Sequence, residues 1–205
     1  MKQTLYFVLL LSIFTASNVN AQSSALDSKG AIGITYSGLG TNDAFYFESL
    51  DGAGASYGKG YYSLGITYIR PLAKNIDLET GISYNKYKYQ FSNASLGPDA
   101  PEPYNGTNAV VDIPVTVRWT FLNYFFLNGG LLLGIDTEKE NYLDNQTGIG
   151  AVIGIGAKYD LKNIPVGLFV NPYFNIHNLI PFSMENYHER TSEEGFRFGV
   201  VYYLH

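Results

Sequence analysis

The sequence contains no cysteine. That excludes a disulfide framework, a thiolate metal site and a cysteine nucleophile. It also excludes a bacterial lipoprotein, whose lipid sits on a cysteine directly after its signal. Charge is scarce as well, at 15% of residues, with a formal net charge of −5. Such a balance gives no electrostatic footprint for nucleic acid. There is one Trp and there are two Met. No clean transmembrane helix is present either. Trp119 to Ile135 is uncharged, but Asn123, Asn128, Gly129 and Gly130 interrupt it and it is short for a span. A strand–turn–strand reading of the same stretch keeps a period of two.

What is abundant is glycine, at 22 residues, and tyrosine, at 18. Tyrosine and glycine with few charges suit β-structure that meets an interface. The start of the chain reads as an address. Lys2 supplies a positive end, Leu5 to Phe14 is apolar apart from Ser12, and Val19-Asn20-Ala21 precedes Gln22. We read 1–21 as a secretory signal peptide and 22–205 as a single domain. The alternative, an uncleaved anchor, has a run too short to cross a bilayer comfortably.

The mature chain alternates in segments separated by turns. Strands are expected near Ala31–Ser37, Tyr61–Arg70, Ile76–Phe91, Ala109–Phe121, Tyr124–Asp136, Gly148–Asp160, from Val166 to Ile176, and Gly195–His205. Three connections are short, at Pro71–Asn75, Leu122–Asn123 and Leu161–Asn163. Four are long, at Gly38–Gly60, Ser92–Asn108, Thr137–Thr147 and His177–Glu194. Short turns on one side and long loops on the other characterise up-and-down membrane barrels.

The two faces decide the solvent. Along the second strand Tyr62, Leu64, Ile66 and Tyr68 oppose Ser63, Gly65 and Thr67. Along the fourth Val111, Ile113, Val115, Val117 and Trp119 oppose Asp112, Pro114, Thr116 and Arg118. Leu132, Phe169 and Val201 fall on the polar side and break the pattern. A closed eight-stranded barrel has room inside only for side chains. Small polar residues and glycines fit there, and the apolar face then looks outward into lipid. The expected fold is all-β, an eight-stranded antiparallel up-and-down transmembrane β-barrel. A soluble lipocalin-like barrel is the alternative, and it leaves the outward apolar face unexplained.

Counting from the short turns places Glu79, Arg118 and Lys158 at similar height, facing inward. Asp112 and Arg197 face inward nearer the long loops. Gly33, Gly65 and Gly154 line the same interior. Charges in a narrow lumen must be paired or wetted. A structural polar plug follows, and a gate whose pair breaks to admit ions is the sharper reading. Tyr61, Tyr62, Tyr84, Tyr87 and Tyr89 form an aromatic band near the long loops. Trp119, Phe121, Tyr124 and Phe125 form one near a short turn. Of these, Tyr62, Tyr84, Trp119, Tyr124 and Phe125 are taken as interface anchors. A carbohydrate platform of Tyr87, Tyr89 and Tyr104 is the alternative use of such rings.

No catalytic or metal constellation is visible, and no cofactor is expected. His177 and His188 are placed in the last long loop, where a rim enzyme would draw its residues. The loops tilt acidic: Asp136, Glu138, Glu140 and Asp144 with Lys139 in one, Glu185, Glu189, Glu193 and Glu194 with Arg190 in another. They suit solvation, or divalent cations that bridge lipopolysaccharide.

The last strand reads Arg197-Phe198-Gly199-Val200-Val201-Tyr202-Tyr203-Leu204. It resembles the C-terminal assembly signal of outer-membrane barrels, with Arg197, Gly199, Tyr202 and Leu204 in its polar, glycine and hydrophobic places. It departs in ending on His205 rather than an aromatic residue. With segments such as the one from Ile76 to Tyr84 and Asp112-Ile113-Pro114-Val115, the mature chain resembles the small porin-like outer membrane protein β-barrel domain family, similar in architecture to OmpA/OmpX-type barrels. The resemblance implies a place in the outer membrane of a Gram-negative cell and insertion by the barrel-assembly machinery. Contact with outer-membrane lipid and lipopolysaccharide is expected there, with no nucleic-acid partner, and the protein is expected to be a monomer. It implies no enzymatic activity. Two roles follow: a structural or interaction barrel with a plugged lumen, or a narrow porin-like channel.

Overall fold

The computed structural model describes residues 29–47, 55–92, 102–138, 142–183 and 188–205. The expected signal peptide lies outside the described residues, as do Lys139, Glu140 and Glu185 of the loops. Eight strands run in chain order: β1 Gly30–Phe45, β2 Ala55–Ala73, β3 Ile76–Ser92, β4 Tyr104–Phe121, β5 Phe125–Asp136, β6 Gly148–Asp160, β7 Val166–Pro181 and β8 Arg190–Leu204. Each pairs antiparallel with its neighbour, and β1 closes on β8 to form a barrel. The short connections use residues that tolerate the left-handed region. Asn75, Asn123 and Asn163 have φ of 66°, 66° and 69°, a conformation asparagine adopts more readily than most residues.

The strands run further towards the loops than alternation alone predicts. β1 continues to Phe45, β2 begins at Ala55, β4 at Tyr104 and β8 at Arg190, and β7 reaches Pro181. Three of the four long connections are correspondingly shorter than expected, and the one from Thr137 to Thr147 keeps its expected bounds. The reason is pairing: β1 and β8 stay paired out to Phe45↔Arg190 across a shift between Ser37 and Leu39, and β2 and β3 out to Ala55↔Ser92 across one between Gly58 and Gly60. A ladder needs a hydrogen-bonding neighbour, not an apolar face, and these outer stretches carry polar residues that mask the alternation signal.

The apolar face looks outward. Ile34 is 67% exposed, Leu64 56%, Ile153 65% and Val115 51%. In water this would be a large exposed patch; in lipid it is the required surface. The soluble-barrel alternative is therefore set aside. The Trp119–Ile135 stretch is β4, a turn and β5, and no described helix is long and apolar enough to cross a membrane. At about 3.3 Å per residue and a tilt of about 40°, the stretch from Ile76 to Tyr84 rises about 20 Å, near the apolar band of such barrels.

Inside, Leu132, Phe169 and Val201 are buried at 3%, 5% and 4%. They break the polar pattern because the interior is not only small and polar. It holds aromatic rings, and glycines on facing strands make room for them. A Cβ at Gly199 would stand 2.2 Å from the Phe169 ring, and one at Gly156 would stand 2.2 Å from that of Phe126.

A charge at mid-height on the outer face tests the orientation. Val115→Arg is expected to cost about 2–4 kcal/mol of folding free energy in bilayers. Leu122→Arg, at the exposed turn, is expected to cost little. Denaturant unfolding in lipid vesicles measures both.

Candidate functional site

The lumen is built in layers. Nearest the short turns, Ala31, Ile69, Phe126, Phe169, Val201 and Tyr203 form an apolar cluster. The Phe126 and Phe169 rings meet edge to face, 6.1 Å apart. At this mouth the Tyr203 hydroxyl donates to Asp160. Lys158 Nζ lies 3.7 Å from Asp160 Oδ2. Lys158 thus pairs at the mouth and does not join Glu79 and Arg118. The inward residue of β6 nearer their level is Gly154, paired with Asn128, which in turn pairs with Arg118.

The second layer is centred on Glu79, which is 1% exposed. Its Oε2 accepts from Arg118 Nε at 3.1 Å and from Nη2 at 2.7 Å. Thr67 Oγ1 donates to Oε1 at 3.3 Å, and Arg197 Nη2 lies 3.4 Å from the same oxygen. Arg197 also donates to Asn171 Oδ1 at 2.8 Å. Its long side chain brings its charge down from β8 into the Glu79 layer, away from the rim height expected for it. The Arg118 guanidinium sits 4.1 Å from the Phe126 ring centre and 4.8 Å from that of Phe169. One carboxylate therefore holds two guanidiniums from opposite walls. Two charge-assisted hydrogen bonds from one guanidinium converge on a single carboxylate oxygen, and the ring faces favour a cation over any uncharged group.

Above this lies an internal cavity of about 40 Å³, lined by Ser37, Ser63, Asp112, Asn175, Glu193 and Arg197 among others. That is room for a few waters. The third layer closes over it. Asn85 Nδ2 donates to Asp112 Oδ2 at 2.8 Å, and His177 Nδ1 lies 3.5 Å from Asp112 Oδ1. The Tyr87 hydroxyl and His177 Nε2 are 2.9 Å apart. Asn175 Nδ2 donates to Glu193 Oε1 at 2.6 Å. Above again, Tyr61, Tyr87, Tyr89, Phe91, Val110, Leu143 and Tyr173 pack together.

Two expectations are corrected here. Tyr61, Tyr87 and Tyr89 are not part of an outer band: they are 7%, 0% and 1% exposed inside the barrel. A carbohydrate platform on Tyr87 and Tyr89 is thereby removed, because their faces are covered. Outward there remain Tyr62 and Tyr84, whose rings are 6.4 Å apart, and at the short-turn end Trp119 beside Phe121, with Phe125 stacked on Phe121. Tyr124 stands in the turn, its carbonyl accepting from Lys158 N at 2.6 Å. Second, His177, Glu193 and Glu194 belong to strands and not to a loop, and His177 and Glu193 point inward. The signal that finds them is the period of two carried on past Asn175 to His177, and back from Arg197 through Gly195 to Glu193. His188 is buried against the Asn178 side-chain amide. No group of three His, Cys, Asp or Glu among the described residues has a metal-holding arrangement.

At the loop rim, beyond the apolar band, Glu189 is folded into the closure. Ser56 Oγ donates to its carboxylate. Its own N donates to Asp144 Oδ2 at 2.7 Å, and Gln146 Nε2 donates to its carbonyl at 2.8 Å. Burial pushes the Glu189 carboxyl above the usual range. Hydrogen bonds from Ser56 and Tyr46 oppose that, while Asp144 and Asp43 reinforce it.

A closed antiparallel barrel with lipid-facing walls and a filled polar lumen is the architecture of outer-membrane proteins. The chain belongs to the outer membrane protein β-barrel domain family, matched over residues 20–181, and is a protein of the outer membrane. No curated protein matches it. Among solved structures it is similar to the outer membrane protein OprG from Pseudomonas aeruginosa, at 12% identity and a TM-score of 0.44, over 87% of this chain and 97% of that one. It is also similar to the translocator domain of the autotransporter NalP from Neisseria meningitidis, at 14% identity and a TM-score of 0.34, over 95% and 96%. A third likeness is the NanC porin, at 10% identity and a TM-score of 0.28, over 84% and 98%.

Two outcomes follow from the geometry. Glu79→Ala leaves two guanidiniums without their shared carboxylate and is expected to cost about 3–5 kcal/mol, read from denaturant midpoints in vesicles. At the rim, a raised carboxyl pKa means closure is most stable below the ordinary glutamate range and loses stability as pH rises through it. Amide exchange around Gln146 and Glu189, corrected for the intrinsic pH dependence of exchange, is expected to show weaker protection at about pH 7 than at about pH 4. Glu189→Gln is expected to flatten that difference.

Proposed function

We propose that the protein is a structural or interaction barrel. Its lumen is a fixed polar plug and its working surface is the loop end. The observation that carries this reading is the Glu79–Arg118–Arg197 junction, clamped from below by Phe126 and Phe169. It joins β3, β4 and β8 across the interior and leaves each of its charges partnered. A junction this buried rigidifies the wall it connects, and breaking it to pass a solute would strand charges in a dry layer.

The same reading includes export through a signal peptide cleaved after residue 21. Insertion by the barrel-assembly machinery would use Arg197, Gly199, Tyr202 and Leu204. In its support, Tyr202 and Leu204 face outward at 51% and 37% exposure, while Arg197 turns in. Tyr62, Tyr84, Trp119, Tyr124 and Phe125 seat the barrel at the two interfaces, Lys158, Asp112 and Arg197 complete its polar filling, and it works as a monomer among lipopolysaccharide. A narrow channel is the second reading. It is favoured by the polar cavity above the junction, where Asp112 Oδ1, Asn175 Oδ1, Glu193 Oε2 and Arg197 Nε have no protein hydrogen bond.

Planar-bilayer recording on the purified protein separates the two. The plug predicts a silent baseline with brief, small events at most. A stable, large conductance rejects it in favour of the channel.

A further inference from the structure

The outer wall just above the apolar band is chemically uneven. On β3 the outward residues run Ile82, Tyr84, Lys86, Lys88. By register Tyr84 is level with Leu64 and Val111, Lys86 with Tyr62 and Ala109, and Lys88 with Gly60 and Thr107. The lysines therefore begin where the Tyr62–Tyr84 pair ends, at the height of lipid headgroups. Lys86 lies 3.6 Å from Glu138. Lys88 and Lys59 are exposed. Together they flank a cleft of about 380 Å³ lined also by Asn105, Gly106, Thr107 and Tyr142.

Among the described residues no carboxylate lines this cleft, although Glu138 stands at its edge and accepts from Thr107 Oγ1 at 3.4 Å. It offers the ammonium groups of Lys59 and Lys88, the Asn105 amide and the Tyr142 hydroxyl, all suited to an anion's oxygens. The neighbouring wall beyond β2 is opposite in character: Asp43 is exposed on β1 and Glu194 on β8, with Thr41 Oγ1 3.2 Å from Glu194 Oε1. Directly below the cleft the wall is apolar, with Leu64, Ile66 and Ile82 more than half exposed. Acyl chains have a surface beneath and an anionic group has partners above, in the vertical order of an amphiphile.

We infer that this cleft, flanked by Lys59 and Lys88 on β2–β4, binds the phosphate of an outer-leaflet phosphorylated glycolipid. The inference rests on the outer-membrane location and is independent of whether the lumen conducts. Free phosphate would satisfy the lysines equally, but it would make no use of the apolar wall that leads into them.

The test measures retention of lipid A by the purified full-length barrel in detergent, by native mass spectrometry. Lys59→Gln/Lys88→Gln is compared with wild type and with Lys162→Gln at the opposite end. Heat-modifiable gel migration checks that each variant is folded. The double variant is expected to retain lipid A about tenfold less, and Lys162→Gln to match wild type. Dephosphorylated lipid A is expected to bind wild type and double variant alike, and weakly. Three results overturn the inference: equal retention of lipid A by the folded double variant, equal retention of the phosphorylated and dephosphorylated lipids by wild type, or displacement of lipid A by millimolar inorganic phosphate.

Discussion

In hydrocarbon an unpaired amide costs several kcal/mol, because no water is present to replace a missing partner. The pairing of β1 with β8 is the contact on which the rest depends. It runs from Gly30↔Leu204 to Phe45↔Arg190 with one shift between Ser37 and Leu39, and it leaves no free sheet edge across the band. Closure fixes the ring at eight strands. The ring fixes a lumen too narrow for anything but side chains. The prolines show how strict the constraint is. Pro114 and Pro172 each lack a donor, and each falls in a gap in the register, between the pairs Thr80↔Val115 and Ser83↔Asp112 on β3–β4, and Gly154↔Tyr173 and Ala157↔Val170 on β6–β7.

A narrow lumen must neutralise what it contains. Arg118 reaches Glu79 from the neighbouring strand, while Arg197 reaches it from β8. Length and planarity let arginine do this where lysine remains at the mouth with Asp160. The aromatic rings serve the same end. Phe126 and Phe169 exclude water from one side of the pair and present their faces to its cation. Asp112 and Glu193 instead border a small polar cavity. The interior is thus closely packed at the lower level and leaves a small polar cavity above it, which is why the plug and not the cavity sets the proposed role.

Alternation carried much of this architecture openly. Glu79 and Arg118 both lie on the polar parity of neighbouring strands, so their meeting follows from strand order and spacing. Lys158 has the same parity but stands lower, because its height depends on the stagger between β5, β6 and β7 rather than on the position of a turn. His177 and Glu193 were hidden for a different reason. Above the bilayer the outward residues become polar, so the contrast between faces fades and a strand reads as a loop. Tyr87 and Tyr89 look like interface tyrosines by composition, and only parity, continued from Glu79 through Asn85, turns them inward. The interior rings of Phe126 and Phe169 were obscured by the assumption that small residues fill small barrels. Gly156 and Gly199 are small because the rings opposite them are not.

The central claim is that the apolar face of the barrel meets lipid. The single tryptophan tests it directly, since Trp119 is half-exposed on that face beside the short-turn band. In vesicles of lipids brominated at different depths, its fluorescence is expected to be quenched most by bromines near the interface and little by aqueous iodide. Strong quenching by iodide with none from any brominated lipid would place Trp119 in water and contradict the account.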